Sequence, residues 1–320
     1  MMEAQKKKID LKRLLIQNNT YIILLILFIV CCVLSSNFLT VMNIRNIALQ
    51  QAAPVCVAVG MLFVILTGGI DLSVGSIMAL GACVTATMMA EHGMNMFVGI
   101  IAAMLMGCIL GGITGFFVAY TKMQGFVASL AMMTMARGAA FMLTDGIPVK
   151  LEKGTLDVLV KKEYGYPIIL CAALIVLLFW FIQKYTSYGR IVIALGSNST
   201  AVELAGIRVK RYLLSVYAIS GCLAALAGIF IAARSSTGSP TVGDGQELDA
   251  ITACVIGGAN LAGGKGTVIK TLMGAFVLAL IGNIMNLMAV PSYPQDIIKG
   301  CIIIAAVLLQ LFTEKSEQTV

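Results

Sequence analysis

"FVGIIAAMLMGCILGGITGFFVAY", residues 97–120, runs without a single charged side chain. An α-helix rises 1.5 Å per residue, so about 20 apolar residues cross the ~30 Å hydrocarbon core of a bilayer. This run is long enough to do so. Within it Gly107, Gly111 and Gly115 recur at every fourth position and so share one helical stripe. Small residues on one stripe let two helix backbones approach closely in lipid, and packing is the role we assign them.

The same character extends outward in both directions. Residues 21–34, 52–67, 74–90, 168–182, 213–233, 267–290 and 297–312 are apolar runs of similar type. The chain is 59% hydrophobic and 12% charged, with mean hydropathy +0.97, whereas soluble domains carry about 25% charged residues. The expected fold class is an all-α polytopic membrane protein, in one domain over residues 1–320. The nine cysteines form no C-x-x-C pair and sit mostly inside apolar runs, so they read as small buried hydrophobes. The net charge of +7 needs no nucleic-acid partner, because membrane proteins gather Lys and Arg on the cytoplasmic side.

That rule also sets the orientation. Residues 184–211 carry Lys184, Arg190, Arg208, Lys210 and Arg211 against Glu203 alone, which makes this loop cytoplasmic. Residues 1–19, with Lys6, Lys7, Lys8, Lys12 and Arg13, belong on the same side. No small-residue cleavage site follows the first apolar run, so residues 21–36 read as a retained span. Six spans near 20–36, 46–67, 74–91, 96–120, 124–144 and 167–183 separate these two cytoplasmic regions. Four more segments follow, near 212–234, 248–263, 266–290 and 294–312. That gives about ten, with both termini cytoplasmic and the loops 145–166 and 235–247 outside. Segment 248–263 is short and glycine-rich, as a half-helix or re-entrant element would be. "GIIAAMLMG" (99–107) and "GTVIKTLMG" (266–274) match at the first Gly and the closing Leu-Met-Gly, in the pattern of an inverted repeat.

Enzymatic motifs fail. "GGANLAGGKGT" (257–267) lacks the phosphate-loop residues at Ala259 and Gly266, so no ATP is expected on this chain. "TVGDG" (241–245) lacks a second membrane aspartate to form a protease pair. His92 is the only histidine, which leaves no material for a histidine metal site or catalytic triad. No catalytic residue and no metal ligand is expected.

Two other stretches stand out. In "LTGGIDLSVGS" (66–76), Asp71 is the only charged side chain between Arg45 and Glu91. Gly68 and Gly69 can end one span, and the side chain of Asp71 or Ser73 can accept amides at the start of the next. The carboxylate then lies at the positive end of a helix dipole. Gly69, Asp71, Ser73 and Gly75 are the expected turn-and-cap residues. The second stretch, "ALGSNSTAVELAGIRVKRY" (194–212), reads as a short amphipathic helix flanked by glycines. Such a helix either docks a cytosolic partner or lies on the lipid surface.

"ILTGGIDLSVGS", "YGRIVIALGSNSTAVELAGI", "SVYAISGCLAALAGIFIAAR" and "GQELDAITACVIGGANLAGGKGTVIKTLMGA" together resemble the permease subunits of ribose-type ABC importers. That branch includes xylose, galactose and autoinducer-2 permeases. The likeness runs in order from about residue 40 to 310. One departure is Ser199 and Thr200, where the commonest family form has Glu and Ala. The resemblance implies an ABC importer permease fold in the bacterial inner membrane, with residues 196–207 as the helix that couples to the ATPase. Ala201 and Gly206 match that helix's alanine and glycine; Arg190, Gly196, Asn198 and Glu203 belong to the same element. The implied partners are an ATP-binding subunit with paired nucleotide domains, an extracytoplasmic sugar-binding protein, a second permease copy and membrane lipid. ATP and Mg belong to the ATPase, and no cofactor to this chain. Glu247, Asp249, Asn260, Asn283 and Asn286 are the pathway candidates in an otherwise apolar route, and Asp71 is expected to cap a helix more than to touch sugar. Ribose leads among the substrates, ahead of xylose, galactose, autoinducer-2 or a nucleoside. An ion-coupled secondary sugar transporter is the alternative, but it would carry coupling carboxylates within its spans.

Overall fold

The computed structural model describes residues 19–164 and 166–318; the basic segment 1–18 lies outside the described residues. Eleven α-helices are present among them. They are α1 (Asn19–Leu34), α2 (Val41–Leu66), α3 (Val74–Ala90), α4 (Met96–Thr121), α5 (Gly125–Thr144), α6 (Pro167–Tyr185), α7 (Ser187–Leu204), α8 (Val209–Ser235), α9 (Gln246–Ile256), α10 (Val268–Leu287) and α11 (Ser292–Gln318). A two-residue antiparallel pairing of β1 (Val149–Lys150) with β2 (Thr237–Gly238) ties the 145–166 loop to the end of α8.

Helix α4 shows how the bundle is built. Gly99, Ala103, Gly107, Gly111, Gly115 and Ala119, spaced by four, are buried. Phe97, Ile101, Leu105, Ile109 and Ile113, also spaced by four, are exposed. A soluble helix would bury the large residues and expose polar ones. Here the small stripe faces protein and the large apolar stripe faces outward, which is stable only against lipid.

The small stripe packs on α8. A Cβ added at Gly107 would collide with the carbonyl oxygen of Gly221, and one at Gly111 with that of Tyr217. On another side of α8, Gly228 lies against the carbonyl of Met78 and Gly81 against Ala225. Gly60 of α2 sits over the Cα of Ser220. Helices α2, α3 and α8 therefore form a buried centre, with α4, α5, α6 and α10 around it.

Six described helices are, by length and composition, long and apolar enough to cross a membrane: α2, α4, α5, α6, α8 and α10. Helices α1 and α3 are apolar but shorter. Helix α3 is short because residues 67–73 are a non-helical break. The expected segment 248–263 is the 11-residue helix α9, about 16 Å long and too short to span. Helix α11 covers the expected 294–312 segment but is not among the six.

Gly111→Ala should lower stability by about 1–3 kcal/mol, because overpacking a backbone contact forces the helices apart. Gly112→Ala should be near neutral, since its Cβ would meet Ala218 at an ordinary 3.9 Å. Thermal melts of the two variants in one detergent compare them directly.

Candidate functional site

Three regions carry the polar chemistry. The first is the break between α2 and α3. Asp71 is fully buried; its Oδ1 accepts the Ser73 amide at 3.0 Å and the Ser73 hydroxyl, and its Oδ2 accepts the Ser220 hydroxyl at 2.9 Å. A buried carboxylate is costly unless its lone pairs are satisfied, and three donors meet that need here. Ser220 lies in the middle of α8, so the carboxylate fastens the α2–α3 break to the central helix.

This corrects the expected cap. Ser73 is the N-cap residue of α3 but makes no side-chain cap bond, because its backbone is already helical (φ −77°, ψ −13°) and its hydroxyl turns back to Asp71. Asp71 bonds the amide of Ser73 itself, one residue ahead of the helix. Gly69 is held close to the Tyr217 hydroxyl, and Gly75 abuts the Gly243 carbonyl and the Glu247 carboxyl group.

The second region is α7 and its turn. Asn198 is non-helical (φ −161°, ψ 92°), and its Oδ1 accepts the Ala201 amide at 2.9 Å. The helix is thus broken in two, with Asn198 capping a short second half at residues 199–204. Asn198, Ala201, Glu203 and Gly206 are exposed, and Leu204 is 85% exposed at the tip. Arg190 is exposed one helical stretch earlier and donates to Ser187 at 3.0 Å. Gly196 is different, wedged against the Leu66 carbonyl oxygen and the Gly263–Gly264 backbone. Gly264 N–H also donates to the Leu66 carbonyl at 3.0 Å. Gln183 adds two bonds to the same cluster, with the Gly266 carbonyl and the Val268 amide. The root of α7 is therefore fixed to the ends of α2 and α6 and to the glycine turn after α9, while its tip projects.

The third region is a polar cavity of about 300 Å³, at the small end of ligand pockets. Asp249 of α9 with Asn283 and Asn286 of α10 line it, as does Lys299 of α11. Asp249 accepts from Gln246 at 3.4 Å and lies 3.9 Å from Lys299. Asn286 accepts from Gln295 at 2.9 Å. Asn283 exchanges two amide bonds with Asn43 at 2.8 and 3.0 Å. Pro54 of α2 also lines the cavity and, having no N–H, leaves the Gln50 carbonyl without its helical partner.

Of the five expected pathway residues, then, three converge. Glu247 faces the first turn of α3 instead. Asn260 organises the glycine turn after α9, accepting the Ala262 amide at 2.7 Å and donating its own amide to the Lys265 carbonyl. The expectation of a mostly apolar route missed Gln50, Gln51, Arg234, Gln246, Gln295 and Lys299. The pairs 246/249, 283/286 and 295/299 are spaced by three or four, which puts each on one helical face; that spacing was the available signal. Arg137 was missed too, although it is the only charge within the apolar segment 124–144.

The cavity and the α7 root lie at different levels along the same helices. Helix α2 lines the cavity from Gln50 to Ala58 and meets the α7 root at Leu66; α9 lines it from Gln246 to Ala253 and reaches the glycine turn past Ile256. Residues 43–307 match the family described as branched-chain amino acid transport system / permease component.

The chain belongs to that permease family.

It is 40% identical to the ribose import permease protein of Haemophilus influenzae, over 96% of this chain and 97% of the relative. It is 42% identical to the ribose import permease protein of Escherichia coli K12, over 86% and 88%. Against the xylose transport system permease protein of Haemophilus influenzae it is 33% identical, over 87% and 91%. No solved structure matches it significantly. With six candidate spans and permease relatives, this is a multi-pass membrane transport component and not an enzyme.

Substitutions at Gly196 in the α7 root and Gly206 in the turn after α7 should separate the fold from the projecting tip. Gly196→Ala should fail to assemble, because its Cβ has no space between Leu66 and Gly264. Gly206 has φ +81° and open space around it, so Gly206→Ala should cost only about 1–2 kcal/mol locally and leave the bundle's melt unchanged. Asp71→Asn should retain most folding yield, because an amide oxygen still accepts from Ser73 and its NH₂ can donate to Ser220. Asp71→Ala should lose it, as both serines lose their partner. Yield and gel-filtration profile read out all four.

Proposed function

We propose that this chain is the membrane-spanning subunit of an ATP-driven ABC importer for a neutral monosaccharide, ribose, delivered by an extracytoplasmic binding protein. The polar cavity, set apart along the same helices from the projecting α7 tip, carries the reading. A transported ligand needs a polar chamber on one side, and an energy-coupled permease needs a docking element on the other. The high-identity relatives are named for ribose import, which favours that sugar over the branched-chain amino acids of the family description.

The side-chain amides, the Asp249–Lys299 pair and the Arg234 guanidinium together supply the donors and acceptors that hydroxyl groups need. Three to five such bonds give a weak site, which is adequate where a separate binding protein captures the ligand and ATP supplies direction. The short helix 199–204, with Ala201 and Gly206 beside the exposed Leu204, inserts into a cleft of a cytosolic ATPase with paired nucleotide domains. Arg190, Asn198 and Glu203 belong to that docking element, and Gly196 seats its root on the bundle. ATP and Mg are held by the ATPase, whose closure moves α7 and switches the bundle between outward and inward access. Two permease copies face each other in a bacterial inner membrane, with about ten segments and both termini cytoplasmic. The pairing of the 145–166 loop with residues 237–238 supports placing these loops together on the outer face.

Purified with its ATPase and binding protein in vesicles, the chain should take up ribose only with ATP, and xylose or leucine poorly. Asn286→Leu should reduce uptake about 2- to 10-fold, the worth of one net hydrogen bond. Uptake by the chain alone, driven by a proton gradient, would establish a secondary transporter instead. ATP-driven uptake of leucine in preference to ribose would overturn the sugar reading.

A further inference from the structure

Arg137 on α5 is a charged side chain in an apolar helix, 20% exposed. Charges within membrane segments are costly and mark function by default. Its Nη1 donates to the carbonyls of Pro240 at 2.6 Å and Val242 at 2.8 Å, and its Nη2 meets Asp244 Oδ1 at 2.6 Å. All three acceptors lie in the strap Ser239–Gly245, which joins α8 to α9. On the strap's other side, Gly243 (φ +82°) presses its backbone against Gly75 in the first turn of α3, with no room for a Cβ on either residue. The strap is thus clamped between α3 and a guanidinium. It ends at Gly245 (φ +78°), the N-cap of α9, and the first turn of α9 supplies Gln246 and Asp249 to the polar cavity. Arg137 itself does not line that cavity.

We propose that Arg137 is a positioning residue for transport: by gripping the strap it fixes the first turn of α9, and with it one wall of the cavity. This rests on the cavity being the ligand's chamber. The planar fork of arginine suits three acceptors spread along one stretch of backbone, whereas a lysine ammonium offers one point charge. Of the three contacts, the two carbonyl bonds matter most. Asp244 is 72% exposed, and an ion pair to such a group is screened and weak. Charge-assisted bonds to the carbonyls of buried Pro240 and half-buried Val242 are stronger and more costly to lose. The grip is therefore on the main chain, and the acid is secondary.

The test uses the complete transporter in vesicles, with Arg137→Gln, Arg137→Lys and Asp244→Asn, together with hydrogen exchange of residues 239–250. Arg137→Gln should speed exchange of that segment and cut uptake by about ten- to a hundredfold, the loss of one charge-assisted bond. Exchange in α2 and α8 should stay unchanged. Arg137→Lys should lie close to Gln, and it serves as the reporter if Gln does not assemble. Asp244→Asn should stay within about twofold of the parent in both measurements, as expected for an exposed pair. Three outcomes would overturn the proposal: Asp244→Asn as damaging as Arg137→Gln, lost uptake with strap exchange unchanged, or faster strap exchange with normal uptake. If the parent transporter moves another solute, the ribose reading fails. The exchange arm, read with uptake of that solute, still decides the role of Arg137.

Discussion

Everything in this bundle depends on backbones touching backbones around α8. In lipid, burying leucine against leucine gains little, because the alkyl chains outside are equally apolar. What remains is close packing, and it is available only where side chains are absent or small. Gly107 and Gly111 of α4, Gly60 of α2 and Gly228 of α8 supply it on successive faces of one helix. The large residues of α4 point away because no room is left for them inside. This inversion of the soluble rule gives one constraint two results, a tight centre and a lipid-compatible surface.

A centre packed so closely leaves few places for polar groups, and a buried carboxylate there must have its lone pairs satisfied. Asp71 is the clearest case. Its composition-level oddity was visible in the sequence, and so was the break formed by its flanking glycines. Its partner was not, because Ser220 is 149 residues away and one serine on an apolar helix carries no signal of where it points. The cap expectation failed for a local reason: Ser73 is already helical and its hydroxyl turns back to Asp71, so Asp71 holds the Ser73 amide and no side chain caps the first turn of α3.

Membrane class, most helix positions and the break at residues 67–73 were legible because they follow from apolar run length and glycine placement, both local properties. The number of true spans was less so. Residues 248–263 read as short and glycine-rich, and Gly257 and Gly258 stop the helix, with Gly258 at φ +79°, leaving α9 at half-membrane length. Helices α1 and α3, by contrast, are apolar but fall short of span length. The cavity was only partly legible. Its residues sit on α2, α8, α9, α10 and α11, and helical spacing reveals which residues share a face but not which faces converge.

Helix α9 joins these findings. Its N-terminal end follows a strap seated on Gly75 and held by Arg137; its C-terminal end runs into a turn whose Gly263 and Gly264 lie on Gly196 of α7. Both junctions are glycine-to-glycine, with positive φ at Gly243, Gly245, Gly258, Gly263 and Gly264. A rigid segment about 16 Å long, bounded by turns that only glycine adopts readily, transmits displacement as a body and does not absorb it by bending. Helix α9 therefore links the α7 root to the cavity wall that Gln246 and Asp249 form. A full-length span in the same place would have been anchored at both membrane faces, and could not have shifted a cavity wall without carrying lipid contacts with it.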